Sequence, residues 1–148
     1  MRRVVLIAAT IGTVAAPTAL AATVKKPPHV ATCLAAHNVM TTQAYGKVVA
    51  PRSVQRSGLG FSFSLVSGAE LNNGGTAFEA SASVAQRVGN EYLKWQLARY
   101  KKAGLHVTPA MVATTYFVKD NVVVVWNNEP GTTPTGRDKA KRILSACI

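Results

Sequence analysis

Val122-Val123-Val124-Val125-Trp126 is the most apolar run in the part of the chain that follows residue 21. A continuous apolar run, without polar residues at alternate positions, is typical of a central strand that is covered on both faces. The alternative is an exposed sheet edge, where a flat apolar strand invites pairing with another chain. We expect burial in the core, and this strand therefore sets the centre of the predicted fold.

Two β-hairpins are expected around this strand. Residues 111–118 are rich in Thr, Val, Tyr and Phe, which favour strands, and Lys119-Asp120-Asn121 supplies a tight turn into the apolar run. Further upstream, residues 58–66 alternate between apolar and small side chains with the period of a half-buried strand. Asn72-Asn73-Gly74-Gly75 tolerates positive φ and predicts a hairpin turn, so residues 76–79 would form the returning strand.

Three helices complete the pattern. Residues 83–103 place apolar side chains on a wide arc, and Ser81 or Ser83 can cap this helix. A short helix is expected over residues 29–38, and a last helix begins after a Thr133 cap. The last helix would turn four side chains toward the core: Ala140, Ile143, Leu144 and Cys147.

The order of these elements predicts an α+β fold. Two β-β-α units follow the short N-terminal helix and a brief strand at residues 48–50. We expect a two-layer sandwich in which a mostly antiparallel sheet of four or five strands carries the helices on one face. The 148 residues leave room for one domain, predicted over residues 29–148 after a flexible lead over residues 22–28.

The N-terminus has the layout of a secretory signal. Arg2 and Arg3 precede an apolar stretch from Val4 to Ala16, and Ala19-Leu20-Ala21 fits the small-residue rule for cleavage. Because the apolar stretch is short for a bilayer span, we expect residues 1–21 to be removed on export. Retention as an N-terminal anchor is the alternative. Removal lowers the formal net charge from +11 to +9.

The chain has two cysteines, Cys33 and Cys147. In an oxidising compartment, an even number of cysteines favours pairing. We therefore expect a Cys33–Cys147 disulfide that ties the two ends of the domain together, worth roughly 4–5 kcal/mol on the chain-entropy model. The alternative uses Cys33 and His37, which share one face of a helix, as a thiolate–imidazole nucleophile or as half of a metal site.

The other chemistry-bearing residues do not indicate an enzyme. The acids after residue 21 form no close pair suited to acid–base catalysis, and Glu79, near a strand end, is the best single candidate. His29, His37 and His106 do not have the spacing of a metal site. Gly58-Leu59-Gly60 lacks the third glycine of a dinucleotide loop. We therefore expect neither a cofactor nor a metal.

Positive charge is the remaining functional signal. It attracts polyanions, which for an exported protein are envelope polymers and lipid headgroups, whereas nucleic acid is less accessible. The few aromatic residues provide no visible stacking platform for single strands. The cations could equally be solvated surface residues that complement helix dipoles. The candidate anion-binding residues are Lys101, Lys102, Arg137, Lys139, Lys141 and Arg142.

Several features together resemble small exported proteins of high-GC Gram-positive bacteria. These are the export signal, Cys33-Leu34 at a helix start, the strand Asn121–Trp126, a proline-led last helix and Cys147. The resemblance implies an envelope or extracellular setting and an α+β domain, and it implies no catalytic residue. We expect a small exported, non-catalytic binding or accessory domain. A small hydrolase or thiol-dependent enzyme, and a protein-binding inhibitor or assembly subunit, are the alternatives.

Overall fold

A computed structural model describes residues 23–42, 60–67 and 70–148. The predicted signal over residues 1–21 and the predicted strand at residues 48–50 lie outside these ranges. The start of the strand predicted over residues 58–66 also lies outside them.

The described residues form four helices and five strands. The strands form one antiparallel sheet in the order β1-β2-β3-β5-β4, so the predicted α+β fold is confirmed. The helices are α1 (Pro27–Ala36), α2 (Ala82–Lys102), α3 (Pro109–Ala113) and α4 (Arg137–Cys147). The strands are β1 (Met40–Thr42), β2 (Ser62–Ser67), β3 (Glu70–Phe78), β4 (Tyr116–Lys119) and β5 (Val122–Trp126).

Strand β5 lies between β3 and β4, and all of its residues are buried. Successive side chains of a strand point to opposite faces of the sheet. Val122, Val124 and Trp126 join a core with residues of α1 and α4. Val123 and Val125 join a second core with residues of α2. The prediction of a strand covered on both faces is confirmed.

The sheet therefore carries helices on both faces, and the predicted two-layer arrangement with helices on one face is wrong. Helices α1 and α4 pack on one face, whereas α2 packs on the other. The apolar run of β5 explains the difference, because burying a valine side chain contributes about 1.5–3 kcal/mol. Helices on a single face would leave every second side chain of β5 exposed to water.

The hairpin turn predicted at residues 72–75 is also wrong, because these residues lie inside β3. The antiparallel pairing of β2 with β3 runs from Ser62 with Gly75 to Ser67 with Glu70, so residues 72–75 are paired strand residues. Gly74 is required for close packing instead of a turn, since a Cβ at this position would overlap the backbone carbonyl oxygen of Val125 on β5.

The strand predicted over residues 111–118 is wrong in its first half. Thr108 caps α3 by accepting a hydrogen bond from the Met111 N–H at 3.3 Å, and Pro109 follows in the first turn. This Thr-Pro pair starts a short helix despite the strand-favouring residues that follow. Strand β4 begins only at Tyr116. The predicted turn into β5 is confirmed, with Asp120 at a φ of +49°.

Helix α2 agrees with the prediction to within one residue at each end. The Ser81 side chain accepts a hydrogen bond from the Val84 N–H at 3.3 Å, so Ser81 is the N-cap. Gly104 follows the helix with a φ of +74°, a conformation that favours glycine. Local capping and periodicity were therefore sufficient to locate this helix.

Helix α1 begins earlier than predicted, at Pro27. Proline is tolerated there because the N–H groups of the first turn have no partner within the helix. Before the helix, the Lys25 N–H donates to Asn121 Oδ1 at 2.7 Å, and Asn121 Nδ2 donates to the Lys25 carbonyl oxygen at 3.0 Å. The lead predicted over residues 22–28 is therefore too long, since its second half is bound to the domain.

Helix α4 begins at Arg137, later than the predicted start after Thr133. Gly136 occupies the N-cap with a φ of +82°, where a side chain would be strained. The inner face of the helix is as predicted, and it carries Ala140, Leu144 and Cys147 in the core with Ile143 packed against it.

Cys33 of α1 and Cys147 of α4 form a disulfide, with their Cα atoms 5.6 Å apart. The predicted pairing is confirmed. The bridge joins two helices on the same face of the sheet and links positions that are 114 residues apart in the chain.

Candidate functional site

The predicted anion-binding residues do not share one surface. Lys101 and Lys102 are exposed in the last turn of α2, on one side of the sheet. Lys139, Lys141 and Arg142 are exposed on α4, on the opposite side. The sheet and its two cores separate these groups. The two groups of cations therefore do not form one continuous binding surface.

Arg137 is buried, with 5% of its surface exposed, so its assignment to an anion-binding surface is wrong. Its guanidinium carbon lies 4.1 Å from the centre of the Trp126 ring. Nη1 donates to the Thr114 carbonyl oxygen at 2.9 Å, Nη2 to Asn128 Oδ1 at 2.6 Å, and Nε to Asn72 Oδ1 at 3.4 Å. Burial lowers the pKa of Arg137 to about 10. Three hydrogen bonds within the protein and the contact with the Trp126 ring hold its guanidinium, so its role is structural.

A cleft of about 540 Å³ opens between the C-terminal half of α2 and the end of β5. Buried Tyr92 and Gln96 form part of its lining, and Gln96 Nε2 donates to the Tyr92 hydroxyl at 2.7 Å. Burial raises the pKa of Tyr92 further above its ordinary value of about 10, so the phenol is a neutral hydrogen-bonding group at pH 7, as an exposed tyrosine also would be. The opposite wall includes Asn127 and Glu129, which follow β5. The cleft thus combines an aromatic wall with neutral hydrogen-bonding groups and the Glu129 carboxylate.

Arg99 is the one positively charged side chain among the residues that line this cleft. Its guanidinium carbon lies 5.7 Å from the centre of the Trp95 ring and 5.4 Å from that of Tyr100, within the range of cation–π contacts. Nη1 donates to Gln96 Oε1 at 3.4 Å. Arg99 is exposed, and no carboxylate among the described residues pairs with it. The rings therefore position the guanidinium while most of its donors stay open to a ligand.

Exposed lysines extend the positive charge beyond the cleft. Lys101 and Lys102 follow Arg99 in the last turn of α2 and offset the negative end of the helix dipole. Glu129 is the carboxylate on the opposite wall. Arg99 and these two lysines outnumber the single carboxylate of Glu129. The net charge of these four side chains is therefore positive, which favours an anionic ligand.

Neither Arg99 nor the cleft was predicted from the sequence. The available signal was the i, i+4 spacing of Trp95 and Arg99, which places them on one face of α2, with Tyr100 next in the chain. Asn127 and Glu129 are distant in sequence and come beside α2 only through the packing of α2 on β5. No local sequence pattern therefore predicts that Asn127 and Glu129 form a wall of this cleft.

His37 lies beside the disulfide. It caps the C-terminal end of α1 and is exposed. The ligand atoms of Cys33, His37 and Cys147 all lie within 4.8 Å of one another, and this is the one group of potential metal ligands found among the described residues. Because the two sulfurs are bonded to each other, Cys33 is not a free nucleophile in this state.

His37 also lines a smaller cleft of about 330 Å³, together with Lys139 of α4. Met40 of the edge strand β1 and Val66 of the adjacent β2 also line it, so the cleft lies at the β1 edge of the sheet. The cleft therefore brings two of the exposed basic side chains together on the side of the molecule that carries the disulfide.

Glu79, the best single acid from sequence, is buried just after β3. Its backbone N–H donates to the Asn121 carbonyl oxygen at 2.8 Å, and its carbonyl oxygen accepts from Asn121 Nδ2 at 2.9 Å. Oε1 has no hydrogen-bond partner. Glu79 lines neither of the two clefts above, so the structure does not place it with the groups that could bind a substrate there.

An exposed apolar patch lies on the sheet beyond the area that α2 covers. Val66 of β2 pairs with Leu71 of β3, and their side chains are 63% and 55% exposed. Met40 of β1, which pairs with Ser64, is 64% exposed and lies on the same face. Such a patch was the expected sign of a protein-binding surface.

No family model matches the chain, and no curated protein or solved structure is detectably similar to it. The resemblance to exported proteins of high-GC bacteria stays a prediction. No helix within residues 23–42, 60–67 and 70–148 combines the length and the apolar character needed to cross a membrane.

Proposed function

We propose that this protein is a small exported, non-catalytic domain that binds an anionic polymer of the cell envelope. Its binding site is the cleft between α2 and the end of β5. The observation that carries the proposal is Arg99, which two aromatic rings position beside a cleft without a carboxylate partner among the described residues. Export is supported by the signal-like residues 1–21 and by the Cys33–Cys147 disulfide.

The chemistry of the cleft favours a ligand that carries phosphate or carboxylate groups. A guanidinium donates through a planar fork that matches these groups, and such charge-assisted bonds are stronger than neutral ones. Lys101 and Lys102 offer further contacts to a chain that extends beyond the cleft. The volume of about 540 Å³ falls within the range of roughly 300–1,000 Å³ that is usual for ligand sites. One repeating unit could enter while the rest of the polymer runs along α2.

The same lining argues against catalysis in this cleft. Its lining residues include no serine, cysteine, lysine or histidine that could act as a nucleophile with a base. Glu129 is the one carboxylate among them, whereas hydrolysis of glycosidic bonds generally requires a pair. Binding is therefore the activity that these side chains support best.

The test measures binding of the purified protein to dextran sulfate, with neutral dextran as the matched polymer, by calorimetry at low and high salt. We expect binding to dextran sulfate alone, weakened by salt because the charges are exposed. Arg99→Ala should lower the affinity by about 10- to 100-fold, since a hydrogen bond to a charged group contributes about 1.5–3 kcal/mol. Arg99→Lys retains the charge but not the fork and should recover only part of the loss.

Arg87→Ala is the control, because Arg87 is exposed on the same helix and its removal changes the net charge equally. An equal loss in both variants would place the binding on diffuse surface charge and would overturn the cleft as the site. Vesicles of phosphatidylglycerol and of phosphatidylcholine separate lipid from polymer. Binding to the anionic vesicles without binding to dextran sulfate would overturn the polymer assignment.

The exposed cross-strand pair of Val66 and Leu71 favours a second candidate function, that of an assembly subunit. Pairing of this patch with the same patch of a second copy would cover it without requiring another apolar surface. Sedimentation velocity over a range of concentrations tests this. Val66→Lys should abolish a dimer, whereas Leu105→Lys, at an exposed apolar residue elsewhere, should not. A monomer at every concentration would eliminate this candidate.

A further inference from the structure

The three potential metal ligands are the two cysteines of the disulfide and His37, which lies beside them on the same face of the sheet. Cys33 lies on α1, His37 caps the C-terminal end of that helix four residues later, and Cys147 is the last residue of α4. Their ligand atoms all lie within 4.8 Å of one another. Val30 and Leu34 of α1 and Leu144 of α4 are buried in the same core, so the two helices are positioned independently of the bridge.

We infer that reduction of the disulfide converts these residues into a zinc site, so that the bridge and the metal site are alternative states of the same side chains. Two thiolates and one imidazole form a donor set that zinc uses in proteins, with a fourth position left for water. Thiolate sulfur disfavours Mg²⁺ and Ca²⁺, which prefer oxygen ligands. This site is separate from the cleft of the proposed function, because it lies on the opposite face of the sheet.

A dithiol can serve as the reductant that converts the disulfide into the zinc site. The dithiol gives two electrons and two protons to the Cys33–Cys147 bond and becomes a disulfide itself, leaving two thiols on the protein. Binding of Zn²⁺ then forms bonds to the two sulfurs and to one nitrogen of His37, and it displaces the two thiol protons into solvent. The two thiolates neutralise the charge of the ion, so no net charge is added near the core.

The geometry allows this without movement of the helices. In a tetrahedral zinc site the ligand atoms lie about 3.3–3.8 Å apart. After reduction the two sulfurs must move apart from bonding distance, and the His37 nitrogen must approach from within 4.8 Å; rotation of the side chains can supply both changes. The Cα atoms of the two cysteines are only 5.6 Å apart, so both sulfurs can reach one ion.

Access to the site is provided by His37, which is exposed and lines the 330 Å³ cleft. Cys33 is half-buried and Cys147 is buried, and neither lines the cleft, so His37 is the ligand that a metal ion from solvent reaches first.

The experiment reduces the purified protein with a phosphine under anaerobic conditions and titrates it with Co²⁺ as a spectroscopic probe. We expect one Co²⁺ per chain, with thiolate-to-cobalt charge transfer and the intense visible bands of tetrahedral cobalt, and displacement of Co²⁺ by Zn²⁺. The oxidised protein should bind neither ion at this site. Arg99→Ala should bind Co²⁺ as the unmodified protein does, which separates this result from the test of the cleft.

His37→Ala should weaken Co²⁺ binding by at least about tenfold, whereas His29→Ala, which removes an exposed histidine from the same helix, should not. Equal affinity in His37→Ala and the unmodified protein would overturn the inference. Absence of the charge-transfer band would also overturn it.

If reduction unfolds the chain, circular dichroism supplies a second readout. The inferred site then predicts that Zn²⁺ restores the helical signal in the His29→Ala variant and fails to do so in His37→Ala. Binding by an unfolded chain would depend equally on both histidines. An equal response of the two variants would therefore count against a built site.

Discussion

The guanidinium of Arg137 stacks on the ring of Trp126, with its carbon 4.1 Å from the ring centre, although no carboxylate among the described residues pairs with it. The start of α4 is joined in this way to the end of β5. Three neutral acceptors, on Asn72, Thr114 and Asn128, receive its N–H groups. A buried cation is costly without such partners, so this group of side chains fixes the start of the last helix against the sheet, in addition to the core contacts of Ala140 and Leu144.

Replacement of Arg137 by alanine should therefore destabilise the protein by about 2–4 kcal/mol, since it removes the stacking contact and leaves buried acceptors without donors. Urea denaturation followed by fluorescence measures the change. Arg142→Ala, at an exposed position of the same helix, should alter the free energy of unfolding by less than about 0.5 kcal/mol. Equal effects of the two substitutions would show that Arg137 is not part of a buried network.

Removal of the disulfide should destabilise the protein because the unfolded chain gains conformational freedom. The bridge links residues 114 apart, and the Cys33→Ser/Cys147→Ser variant should lose about 2–5 kcal/mol of unfolding free energy. Urea denaturation in the absence of reductant provides the measurement. Addition of reductant should leave the stability of this variant unchanged while lowering that of the unmodified protein. Equal stability of the two oxidised proteins would contradict the prediction.

Stability should fall above about pH 10, the usual pKa of tyrosine. Burial raises the pKa of both Tyr92 and Tyr116, so the folded protein retains these phenolic protons at a pH where the unfolded chain has released them. This contribution is fully present below the pKa of the unfolded chain and is lost as the pH rises through the folded pKa. Urea midpoints measured from pH 8 to pH 11 test the slope.

Comparing the unmodified protein with Tyr92→Phe separates the contribution of Tyr92 from that of the other groups that lose protons at alkaline pH. This variant loses the hydrogen bond from Gln96 and should be less stable at every pH. Its decline with pH should nevertheless be shallower, because one raised pKa is absent. An identical slope in both proteins would assign the alkaline loss to other groups.

Gly74→Ala should destabilise the fold, since the added Cβ would overlap the Val125 carbonyl oxygen on the neighbouring strand. Backbone cannot move aside as a flexible side chain can, and we expect a loss of about 1–3 kcal/mol. Thermal denaturation of Gly74→Ala and of Asn73→Ala, at the adjacent half-buried position, provides the comparison. A neutral Gly74→Ala would indicate that β3 and β5 are not packed as described.

Features that depend on neighbouring residues were predictable from sequence. The ends of α2 follow from the Ser81 cap and from Gly104, and both are local signals. Burial of β5 on both faces follows from its unbroken apolar run. Residues 72–75 show the limit of this reasoning, because an Asn-Gly run permits a turn as readily as it permits close strand packing. The neighbour that excludes a side chain at Gly74 belongs to a distant part of the chain.

The candidate site was less predictable than the fold. The lysines of α2 are exposed, as predicted. Arg99 was overlooked, and Arg137 was predicted to be exposed although it is buried. A list of cations contains no information about which ones a helix turns inward. Two partners of Arg137, Asn72 and Thr114, lie 65 and 23 residues away in the chain, and no local pattern at Asn128, nine residues away, indicates its contact with Arg137.

By itself, the amino-acid sequence determined the positions of α2 and β5 and the pairing of Cys33 with Cys147, because caps, periodicity and an even cysteine count act locally or leave one choice. Only the tertiary structure decided that helices cover both faces of the sheet, that Arg137 is buried and that Arg99 faces a cleft. These features depend on contacts between segments far apart in the chain, and the side chains on one segment do not specify which surface will meet them.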